Sequence, residues 1–156
     1  MIKEKYPDMF APQVEVSTDE GWNNILDALC SRIKNYLENN KRDIKWAEQW
    51  NDKVLDPHYE WIHYGPRELS NVPKLLDPVR IRQVKEKFGT LRFYYYGGDE
   101  YISGLVDMAE GMSARTCEEC GAPGAIRTGG WIKTLCDKHA EERGLKLFKP
   151  NMLVGE

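Results

Sequence analysis

"VRIRQVKEKFGTLRFYYYGG", residues 79 to 98, changes the period of the chain. Val79, Ile81 and Gln83 fall on one face of an extended run. In the second half Leu91, Phe93 and Tyr95 alternate with Arg92, Tyr94 and Tyr96. Both runs are rich in β-branched or aromatic residues, and Gly89 between them supplies a turn, so an antiparallel hairpin is predicted. With helical patterns on either side of it, the chain is expected to be α+β.

On the N-terminal side, Trp22, Ile25, Leu26, Leu29, Cys30, Ile33, Tyr36 and Leu37 form the stripe of an amphipathic helix over about residues 18 to 39. Ser17 with Glu20 offers a capping box, and Asn39-Asn40 followed by Lys41-Arg42 suits a helix end. On the C-terminal side, Ile102, Leu105, Val106, Ala109 and Met112 mark a second helix, with Asp99 and Glu100 in its first turn. Residues 41 to 78 mix Trp46, Trp50 and Trp61 with Pro57, Pro66, Pro73 and Pro78. Ile44, Ala47 and Trp50 could form a short helix, but the prolines break anything longer, so the stretch reads as an irregular aromatic insertion in a body spanning 1–114, with a lid or binding loop as its use.

Beyond the second helix the chemistry changes. Cys117-x-x-Cys120 is followed, after a fifteen-residue loop, by Cys136-x-x-His139. Two such pairs can close a loop around a tetrahedral ion, and the spacing predicts structural zinc. Gly121 fits the tight turn of a knuckle, and Cys136 and His139 stand at i and i+3 at the start of a short helix ended by Gly144. A treble-clef-like subdomain over 115–149 follows. A disulfide framework is disfavoured by three clustered cysteines in a cytosolic chain, and a thioredoxin-like pair by the helix that ends, rather than begins, at Cys117. Four protein ligands close the site, which separates it from catalytic zinc. Cys30, on the apolar stripe, reads as a core residue.

The bulk numbers bound the rest. The chain has 156 residues, 41% hydrophobic and 30% charged, with a formal charge of -3. That fits one compact domain with a small appendage and argues against nucleic-acid binding through overall charge. No apolar signal-peptide core or membrane span is evident, so a cytoplasmic protein that does not enter membranes is expected. Charge is nevertheless uneven: residues 79 to 96 carry Arg80, Arg82, Lys85, Lys87 and Arg92 against Glu86 alone. An anion would be drawn to that face.

"GWNNILDALC", "VKEKFGTLRFYYYGG", Ala109-Glu110 with Ser113, and "TCEECGAPGAIRTGGWIKTLCDKHA" together resemble a group of small proteins carried by phages, prophages and bacteria. The group's pattern is similar to GW-x-x-I/L, KEKFG-x-LRFY, AE-x-x-S and C-x-x-CG with a later GW-x-x-TLC. The likeness covers the first helix and residues 84 to 139, and His139 departs from members with cysteine there. It implies a phage setting, in which a protein that sequesters a host immune nucleotide signal is the concrete expectation.

The hairpin is also where a ligand is expected. Lys85, Lys87 and Arg92 can meet phosphate, and Tyr94 and Tyr96 lie in register with Arg92 for stacking. Arg127, Trp131 and Lys133, and also Arg115, are candidates to join them from the metal loop. Two readings of this face stay open, a nucleotide cradle and a solvated strand face. The expected partner is a small anionic ligand, with nucleic acid or a host protein as alternatives and a homo-oligomer compatible with any of them. His58 and His63, five apart, do not share a helix face and read as loop histidines. No glycine-rich phosphate loop, Gly-x-Ser-x-Gly elbow or paired carboxylates are found, so a nucleotide hydrolase has no nominated nucleophile or base.

Overall fold

A computed structural model of the chain describes residues 1–58 and 68–147. In chain order the elements are α1 (Ile2–Lys5), β1 (Phe10–Ser17), α2 (Asn23–Leu55), β2 (Arg80–Lys87), β3 (Thr90–Tyr96) and α3 (Glu100–Ser113). They are followed by β4 (Ala125–Thr128), β5 (Lys133–Leu135), α4 (Asp137–Glu142) and β6 (Lys146–Leu147). The class is α+β, with two three-stranded sheets, β1-β2-β3 and β5-β4-β6.

The predicted hairpin is the centre of the first sheet. β2 and β3 pair antiparallel from Arg80↔Tyr96 to Lys87↔Thr90. The register slips between Ile81↔Tyr95 and Gln83↔Tyr94, leaving Arg82 without a partner. That extra residue is a β-bulge. It puts Ile81 and Val84, three apart, on the same buried side and turns Gln83 outward, which corrects the simple alternation expected for β2. Phe88 and Gly89 at the tip have φ of 55° and 75°. Positive φ at both central residues is the geometry of a two-residue type I′ turn, a twist that matches the flanking strands.

β1 was not expected. It lies parallel to β2, with Phe10↔Ile81 and Val16↔Val84 in register, so the sheet is mixed rather than purely antiparallel. Pro12 is tolerated because β1 is an edge strand, and its pairing is interrupted between Phe10 and Glu15.

The inner face of the sheet carries Ile81, Val84, Leu91 and Phe93, on which Trp22, just ahead of α2, packs together with α2 through Leu26 and Ile33 and α3 through Ile102 and Val106. α3 also covers the free edge of β3. Ser113 Oγ accepts from the Leu91 amide at 2.8 Å, and Glu110 Oε1 accepts from the Phe93 amide at 2.9 Å. An open edge is thereby blunted. Asp99 caps α3 by accepting from the Ile102 amide at 3.2 Å, and the Tyr36 hydroxyl donates to it at 2.8 Å.

The first helix differs at both ends from its sequence reading. A 3-10 turn, Glu20–Trp22, precedes it, and Ser17 donates to Glu15 rather than capping it. It continues unbroken past Asn39-Asn40 to Leu55, so residues 41 to 55 of the expected irregular insertion are helical. The stop is Asp56, extended at ψ 115°, as the residue before Pro57 must be. Residues 68 to 78 then return along the outer half of the helix. Asn51 holds Ser70 with a pair of hydrogen bonds at 2.7 and 3.0 Å, Asn40 bonds Lys74 and Leu76, and Trp50 Nε1 donates to the Glu68 carbonyl. Trp46 and Trp50 stack at 6.1 Å. Trp61, His63 and Pro66 lie outside the described residues. Among the described residues no helix is long and apolar enough to cross a membrane.

Candidate functional site

The four predicted ligands converge. Cys117 and Cys120 flank a turn closed by the Gly121 amide donating to the Cys117 carbonyl at 2.9 Å, with Gly121 at φ 76°. The β4–β5 hairpin brings the chain back, and Cys136 and His139 sit at the start of α4. His139 Nδ1 is 3.3 Å from the sulfurs of both Cys117 and Cys136, and the Cys120 and Cys136 sulfurs are 3.9 Å apart. All four donor atoms lie within 4.8 Å of one another, a group that can hold a metal ion. A tetrahedral ion bound at ~2.3 Å to sulfur and ~2.0 Å to nitrogen requires edges of roughly 3.6 Å, which these separations fit.

The Cys117 thiol is held ready to ionise. Burial pushes the Cys117 thiol up, but the Cys136 amide, the His139 ring and the amides of Cys120 and Glu119 outweigh it and bring it down to about 6. Outside the donors, Glu119 Oε2 stands 4.0 Å from His139 Nε2, and Arg143 fixes that carboxylate at 2.6 Å. At that separation from the ring the carboxylate acts on it through its charge and not through a hydrogen bond. Among the described residues this is the one such cluster; His58 is exposed and apart from it.

The centre is welded to the body. Gly21 donates to the Glu118 carbonyl at 2.8 Å, Trp22 Nε1 to the Thr116 carbonyl at 2.9 Å, and Thr134 Oγ1 to the Gly89 carbonyl at 2.5 Å. Glu118 is 1% exposed, which raises its carboxyl, yet Lys133 at 2.8 Å and the Thr134 amide at 2.8 Å satisfy it.

The outer face of the β2–β3 ribbon is the second place where predicted residues gather. It brings together Lys85, Tyr94 and Tyr96, and adds Arg82, which the sequence reading counted in the basic run but not among the ligand-binding residues. The Arg82 guanidinium lies 4.7 Å from the Tyr96 ring centroid and donates to its hydroxyl, while Lys85 Nζ lies 5.4 Å from the Tyr94 ring. Arg82, Tyr94 and Tyr96, with Gln13, Glu15, Gln83 and Tyr95, border an open concavity of about 600 Å³. The bulge aims Arg82 here. Its trace in the sequence is the two-residue gap between Ile81 and Val84 in an otherwise alternating run.

The other predicted residues are placed differently. Arg92 is half-tied, 3.6 Å from Glu110 and 2.9 Å from the Leu91 carbonyl. Lys87 lies over Phe88 at the tip, 5.6 Å from the ring. Trp131 is exposed beside that tip. Arg127 is buried and donates to the Leu135 carbonyl at 3.2 Å and to Asp137 at 2.6 Å. Lys133 bonds Glu118 and pairs with Asp19 at 3.5 Å. Both cations hold the metal loop together and do not face the tyrosines. Comparison of the chain with protein-family models, curated proteins and solved structures finds no match.

Proposed function

We propose that this is a zinc-stabilised binding protein that holds a small anionic ligand carrying a planar ring, a nucleotide, on the outer face of the β2–β3 ribbon. The observation that carries the reading is the repeated pairing of an exposed tyrosine with a cation, Tyr96 with Arg82 and Tyr94 with Lys85. A base stacks on such rings while the cations meet phosphate. Zinc is assigned because three thiolates and an imidazole at tetrahedral separations suit it better than harder divalent ions, and four protein donors leave no open position for a reacting water. Its role is then to hold the loop.

The resemblance to phage-borne proteins supports one ligand class, a nucleotide signal of host immunity held out of reach. Calorimetry on zinc-loaded protein with a panel of cyclic and linear nucleotides tests this: saturable heat is expected with at least one, reduced about tenfold or more by Tyr94→Ala or Arg82→Ala. No heat with any member overturns it. Chromatography of the ligand after denaturation returns it intact from a binder and degraded from a hydrolase. Metal analysis should give one zinc per chain.

A further inference from the structure

The two tyrosine–cation pairs are part of a longer series. At the tip of the same ribbon Lys87 lies over Phe88, making a third pair, and all three cations come from β2, at positions 82, 85 and 87. Phe88 is 67% exposed although its backbone is left-handed, a conformation that favours glycine or asparagine and is uncommon for a bulky residue. Across from it Trp131, 74% exposed, closes a cleft of about 310 Å³ lined also by Glu86, Gly130 and Ile132. The cleft is preorganised, because Thr134 ties the metal loop to Gly89.

From these positions we infer that the ribbon takes single-stranded nucleic acid, its bases stacking in turn at Tyr96, Tyr94 and the Phe88/Trp131 cleft while its phosphates follow Arg82, Lys85 and Lys87. This rests on the reading of the face as a nucleotide site and specifies its ligand. The face is open at both ends, and an open row of rings and cations is how proteins track a strand. Residues 82 to 88 span roughly 20 Å, a reach on the order of four nucleotides. The acids beside the row are engaged: Glu86 accepts from the Gly89 amide at 2.6 Å, and Glu15 bonds Ser17 and Gln83.

Fluorescence anisotropy of labelled oligouridine and oligothymidine, one to eight nucleotides long, on the zinc-loaded full chain tests the inference. Affinity should rise at least tenfold from one to four nucleotides and then level. Its logarithm should fall with the logarithm of salt at a slope of about -2, as three phosphate contacts on a single strand require. The RNA and DNA series decide which strand is preferred. Phe88→Asn supplies the residue the turn favours, so it should raise Tm while weakening the four-nucleotide ligand about tenfold. A mononucleotide that binds as tightly as the tetramer, or an undiminished Phe88→Asn, overturns the strand and leaves the nucleotide site standing. Absence of binding to every length, mononucleotide included, overturns both.

Discussion

Gly21 and Glu118 join the two halves of the molecule through one backbone hydrogen bond of 2.8 Å, made where no side chain fits. A β-carbon on Gly21 would collide with the carbonyl oxygens of Cys117 and Glu118. The Gly-Trp pair at the head of α2 is therefore a docking point for the metal loop, with Trp22 fully buried behind it.

Gly21→Ala should accordingly destabilise the whole chain by about 3 kcal/mol, since the obstacle is backbone and cannot rotate away. Urea titration of the zinc-loaded protein measures this. Chelator competition should show weaker metal retention as well, because the loop is displaced from its seat.

Ser113→Ala removes the acceptor of the Leu91 amide at a position with no solvent access. A buried N–H without a partner costs about 2 kcal/mol, which in a chain of this size lowers Tm by roughly 5 °C. Thermal melts followed by circular dichroism give the value.

The four cysteines should fall into two classes. Three are expected to resist a thiol reagent until a chelator is added and then to react together. Cys30 should stay silent until denaturant opens the core, because burial and the nearby Asp27 charge push its thiol up to about 12. A fourth rapid thiol in folded, chelated protein would contradict the packing of α2.

Acid should loosen the N-terminus. Hydrogen bonds from Lys5 and then Tyr6 hold the Asp27 carboxyl below its ordinary value of 3.8. A depressed carboxyl contributes stability above its unfolded value, and that contribution is lost as pH falls through the folded one. Wild type should thus lose stability below about pH 4. Asp27→Asn should start lower at neutral pH and show a shallower acid slope in urea midpoints.

The legible parts of this molecule were local. Cys117 to His139 announce themselves by spacing, and Leu91, Phe93 and Tyr95 by strict alternation next to a glycine turn. β1 escaped because its partner, β2, is remote in sequence, and because Pro12 and the interrupted register blur its pattern. The far half of α2 escaped for a related reason. Asn39-Asn40 looks like a helix end when read alone, but Asn40 spends its side chain on residues 74 and 76, which no local pattern reveals. In the metal loop, Arg127 and Lys133 looked like free cations only while Asp137, Glu118 and Asp19 were not known to face them.

At 33 residues α2 is roughly 50 Å long, yet the main core touches it only as far as Tyr36 and Leu37. Beyond that point its main support is the returning segment and the asparagines that clasp it. One continuous helix therefore carries two stabilities. Amide hydrogen exchange along it should fall into two steps, with the inner turns opening only on global unfolding and the outer turns opening first, as a separate unit with segment 68 to 78.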